Sequence, residues 1–191
     1  MRLQAQIAGL VVALALMPGA ALAASPAGEF FKRLGALCGQ TFAGQVVEGD
    51  ETDAAFREAE LVMHVASCSD SEIRVPFRVG EDRSRTWVIT RLGEDRLRLK
   101  HDHRHADGTE DELSQYGGDT VAAGSAALQA FPADAYSVAL FTRTGRSVSN
   151  TNVWSLGVTE TSFTYELARP NRLFRVAFDL TTPLASDAPA P

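Results

Sequence analysis

The sequence predicts an all-β domain: an antiparallel meander that closes into a β-barrel, or into a curved sandwich, behind one short N-terminal helix. Three observations carry this. Helical spacing of apolar residues opens the domain at Glu29 to Leu37; period-two alternation takes over from Thr41; and Gly/Asp turn chemistry separates the alternating runs. Closure is favoured because a long open meander would leave unpaired strand edges exposed.

The elements follow in chain order. Residues 1–23 read as a secretory signal peptide: Arg2 supplies the positive start, Ile7 to Met17 the apolar run, and Ala21-Leu22-Ala23 the small-residue ending. The run is too short for a permanent membrane span and no second one follows, so cleavage near Ala23 implies a secreted or periplasmic protein with no membrane span. A single domain is expected over 28–182, and the Pro/Ala-rich tail 183–191 reads as disordered. In the opening helix Phe30, Phe31, Leu34 and Leu37 share one face, and Gly39 ends it.

The clearest strand is Glu72 to Val79, where Ile73, Val75, Phe77 and Val79 alternate with polar residues; Pro76 marks an edge or a bulge. Two Gly-Glu-Asp-Arg turns, at Gly80 and Gly93, flank a strand over Ser84 to Leu92 that carries Trp87. Tyr136 to Arg143, Asn152 to Thr159, Ser162 to Ala168 and Arg172 to Leu180 also read as strands. Between them, Thr109 with Glu112 predicts the cap of a short helix that stops at Gly117-Gly118, and the Ala/Gly-rich stretch to Ala130 a loop or a second helix.

Composition narrows the function classes. The formal net charge of −6 becomes one unit more negative once Arg2 is removed, and the basic residues are scattered. Nucleic acid and anionic lipid surfaces are therefore poor partners, because each requires a concentrated positive patch. The two cysteines, Cys38 and Cys68, favour a disulfide in an oxidising compartment, worth roughly 3.7 kcal/mol in the chain-entropy picture. Two buried thiols or a redox pair are the alternatives, and the lack of Cys-x-x-Cys spacing argues against redox chemistry.

The distinctive stretch is LRLKHDHRHADGTED, Leu97 to Asp111. Alternation puts Leu97, Leu99, His101, His103 and His105 on one face and Arg96, Arg98, Lys100, Asp102 and Arg104 on the other. The histidines thus continue an apolar face toward the mouth of a barrel, where they would form a polar rim for a small, partly apolar ligand, with Trp87 and Trp154 as further lining. Imidazole also suits a divalent transition metal. At about 3.3 Å per residue the outer two histidines lie about 13 Å apart, so one ion can take only two, with a third donor from Glu110, Asp111 or His64.

An early helix, a meandering barrel and one disulfide together resemble the calycins, the lipocalins and their relatives, and this resemblance implies a lipocalin-like barrel that binds a small ligand. At the first strand, Thr41-Phe42-Ala43-Gly44-Gln45-Val46 stands in place of the lipocalin Gly-x-Trp. Separately, His103-x-His105, Glu110 and Gly117 resemble part of the first cupin motif, which implies a metal-dependent enzyme holding its ion with His103, His105 and Glu110. Three readings follow: a secreted small-ligand-binding barrel, a cupin-like metal enzyme, and a structural or interaction module of the envelope.

Overall fold

A computed structural model describes residues 25–185; the expected signal peptide at 1–23 and the end of the tail lie outside the described residues. Helix α1, Pro26–Gly35, begins earlier than the apolar spacing alone indicates, because Ser25 caps it: Gly28 N–H donates to Ser25 Oγ at 3.0 Å, and Pro26 takes the first position. Its buried face of Phe30, Phe31 and Leu34 closes one end of the molecule, the base. Strands β1 (Thr41–Glu48), β2 (Leu61–His64), β3 (Ser67–Cys68), β4 (Glu72–Val79), β5 (Asp82–Arg91), β6 (Leu97–His103), β7 (Tyr116–Asp119), β8 (Leu128–Pro132), β9 (Val153–Val158), β10 (Ser162–Arg169) and β11 (Arg172–Asp179) follow. Helices α2 (Ala54–Glu58) and α3 (Ala135–Arg143) interrupt them.

All pairings are antiparallel, in the order β7-β6-β5-β4-β2-β1-β11-β10-β9-β8, with β3 beside β4 off this path. The result is a nearly closed ten-strand barrel. Its outermost strands meet at a seam where Asp134 N–H donates to the Gly117 carbonyl at 2.9 Å. Pro76 sits where β4 passes from pairing with β2, which ends at Met63↔Phe77, to pairing with β3, which begins at Ser67↔Arg74. Its missing N–H therefore falls in a gap of the ladder. Both Gly-Glu-Asp-Arg stretches are hairpin turns, with Gly80 at φ +57° and Gly93 at φ +90°.

Three expectations need correction. Tyr136 to Arg143 is helix α3, not a strand. Asp134 caps it by accepting from Ser137 N–H at 2.9 Å, and Ser137, Leu140 and Phe141 are its buried residues, at helical spacing. The helix expected from Thr109 is a loop, in which Thr109 N–H and Oγ1 both bind the Asp107 carboxylate. Gly117-Gly118 is not a helix stop: it lies in strand β7, and the Ala/Gly-rich stretch resolves into a loop followed by β8. The tail is pinned at one point, where Leu184 N–H donates to the Thr41 carbonyl.

Cys38 and Cys68 form a disulfide that ties the end of α1 to β3, with Cα atoms 6.2 Å apart. Inside the barrel the aromatic rings are stacked. Trp87 lies 4.7 Å from Phe77 and 4.6 Å from Tyr165, and Phe163 and Phe178 pack around it. Buried aromatic and aliphatic side chains fill the centre. No helix among the described residues is long and apolar enough to cross a membrane.

Candidate binding site at the barrel mouth

Three strands bring the same progression to the mouth. Along its inward face β5 runs Ile89, Trp87, Arg85; β6 runs Leu99, His101, His103; β10 runs Phe163, Tyr165, Leu167, Arg169. Each goes from apolar, through an aromatic or imidazole ring, to a polar or charged end. The three ends meet at a cavity of about 560 Å³, completed by Tyr116, Phe141, Arg146, Ser149, Asn152 and Trp154 among others. On one side Phe56 of α2 covers Phe77 and Phe174, and the Arg85 guanidinium lies 5.7 Å from its ring.

The histidines occupy three different environments. His101 is 3% exposed and lies beneath Tyr116, whose ring stacks on it at 4.5 Å, and beside Trp154. Its Nδ1 meets the Tyr116 carbonyl at 3.1 Å and must carry the proton, so Nε2 accepts from the Tyr165 hydroxyl at 2.9 Å. Burial pushes the His101 pKa down to about 3. His101 is thus a neutral element of the floor and not part of the rim.

His103 lines the cavity, with Nε2 3.2 Å from the Tyr116 hydroxyl. Burial, followed by the nearby Arg85 charge, lowers its pKa from the ordinary histidine value. Burial pushes the Tyr116 phenol up to about 12 and the Tyr165 phenol well above 10, so both keep their protons. His105 lies past the end of β6, where the chain turns through Gly108 N–H donating to the His105 carbonyl. Its side chain is 57% exposed and stands 3.8 Å from Asp111.

Of the residues expected to contact a ligand, His103 and Trp154 line the cavity. His101 and Trp87 lie below it, and His105 points outside. Among the described residues no three His, Cys, Asp or Glu side chains are grouped as a metal site requires. Glu110 is turned away from the expected set, accepting from Gln115 Nε2 at 2.8 Å and lying 3.6 Å from Arg104. His64 belongs to the other end of the barrel, with Nδ1 2.9 Å from Thr41 Oγ1.

Sequence reasoning missed Arg85, Arg146 and Arg169. For two of them the signal was present: Arg85 shares the parity of Trp87 and Ile89, and Arg169 that of Tyr165 and Leu167. Arg146 lies in the connection after α3, which parity does not reach. No family model, curated protein or solved structure matches this chain.

Proposed function

We propose that this protein is a small-ligand-binding β-barrel of lipocalin-like type that works outside the cytoplasm, and that its ligand sits in the mouth and not in the centre of the barrel. One observation carries the reading: three inward strand faces end in polar groups around a cavity of about 560 Å³ over a floor of aromatic rings. That volume suits a small molecule. Rings below with hydrogen-bonding groups above suit a partly apolar one. The N-terminal leader pattern and the Cys38–Cys68 bridge support an extracytoplasmic location.

Ligand-observed NMR with small aromatic acids, alcohols and amines tests this reading. At least one class is expected to bind wild type and to lose binding in Leu167→Trp, which fills the cavity. Absence of binding by every class, or binding unchanged by Leu167→Trp, overturns it.

A further inference from the structure

The cavity is unusual for its charge. The protein is acidic overall, yet the lining carries three arginines, Arg85, Arg146 and Arg169, against two aspartates, Asp82 and Asp111. Arg85 is paired with Asp82, and Asp111 accepts from Leu113 N–H at 2.7 Å and stands near His105. Among the described residues no carboxylate lies within ion-pair distance of Arg146 or Arg169. Three other surface hollows lack this surplus. Between α1 and β3, Glu29 and Asp70 balance Lys32 and Arg91; beside β7, Asp95 and Asp119 outnumber Arg96; and the hollow beside β11 carries Asp179 alone.

Hydrogen bonding points the same way. Arg146 Nη1 donates to the Thr144 carbonyl at 2.9 Å and Arg169 Nη1 to Asn152 Oδ1 at 3.3 Å, which leaves most of each guanidinium's five N–H groups unused by the protein. The second bond also orients the amide of Asn152, a residue only 5% exposed: Oδ1 accepts, so Nδ2 is the donor left at the cavity wall. The short helical turn Ser147–Thr151 sets the spacing, with Arg146 at its start and Asn152, holding Arg169, at its end. The wall therefore presents a surplus of donors over acceptors. The rings of Trp154, Tyr116 and Phe141, packed on one another, line the same cavity.

We infer that the mouth binds a small organic carboxylate with a flat apolar body, its anionic head on Arg146, Arg169 and Asn152 and its body against Trp154 and Tyr116. This rests on the ligand-binding reading above and names its ligand class. Paired arginine forks match the two oxygens of a carboxylate, and partial exclusion of water strengthens each charge-assisted bond.

Isothermal titration of the disulfide-bonded chain with 2-naphthoate and with its uncharged analogue 2-naphthamide tests the inference. Wild type is expected to prefer the acid by at least about tenfold, the scale of one hydrogen bond to a charged group. In the Arg146→Gln/Arg169→Gln double variant that preference is expected to disappear, and a preference that survives at its wild-type size overturns the placing of the head on these two arginines. Equal affinity of wild type for acid and amide overturns the carboxylate assignment and leaves the pocket standing. No binding of either compound overturns the inference, and the ligand survey with Leu167→Trp then decides the binding reading separately. The wild-type comparison decides the matter even if the double variant misfolds.

Discussion

At the scale of single residues, the mouth shows how one repeated rule yields different chemistry at successive positions. His101, His103 and His105 share strand parity, yet one is a neutral floor group, one a cavity wall and one a solvent-facing side chain. Position along the strand decides this, because burial increases from the mouth inward. His101 also has a consequence for stability. Its folded pKa of about 3 lies below the ordinary 6.5, so between those values the unfolded chain binds a proton that the folded chain refuses. Its contribution is full above pH 6.5 and is lost as pH falls toward 3, at about 1.4 kcal/mol per pH unit. Urea unfolding of wild type and His101→Gln between pH 6.5 and 4 is expected to show the steeper decline in wild type; parallel slopes would refute this.

At the scale of elements, the seam between β7 and β8 is the place where the barrel depends on backbone approach instead of a ladder. A Cβ on Gly118 would stand 1.7 Å from the Pro132 carbonyl oxygen, and one on Gly117 1.9 Å from that of Leu99. Ser137 of α3 stitches the same point, donating to the Gly117 carbonyl at 2.9 Å and accepting its N–H at 2.7 Å. Lys100 of β6 adds an ion pair to Asp134 at 2.6 Å. Gly118→Ala is therefore expected to lower unfolding free energy by more than about 3 kcal/mol, at or beyond the upper end of ordinary overpacking. Gly35→Ala, where the new methyl meets only the Ile73 side chain at 3.7 Å at the end of a helix, should fall within about 1 kcal/mol of wild type. Denaturant midpoints of the two variants, measured side by side, check the contrast.

The whole molecule separates a stapled base from a chemically equipped mouth. At the base, α1 plugs the barrel and the Cys38–Cys68 bond ties that plug to β3, a two-residue strand held by two pairings to β4. At the mouth lie the cavity, the free arginine forks and the hydroxyl and imidazole groups. Cys38→Ser/Cys68→Ser is expected to lose about 2–4 kcal/mol of stability, yet to bind 2-naphthoate as wild type does under conditions where both are folded. A large loss of affinity in the folded variant would show that the two ends are coupled.

The sequence by itself determined the inner face of β4, that of β6 as far as His103, and the two Gly-Glu-Asp-Arg turns. These are local properties: successive side chains on an extended backbone alternate whatever lies beyond them. Carried to the strand ends, the same parity also contained Arg85 and Arg169. Tertiary structure alone decided the rest. Helix α3 over Tyr136 to Arg143 is held where Ser137 meets Gly117 across the seam, and Gly118 serves close approach because β7 and β8 converge there. His105 left the inner face because β6 ends at His103, and Arg146 joined Arg169 because the turn after α3 folds back over the mouth. Each of these depends on contacts between segments far apart in the chain, which no local periodicity records.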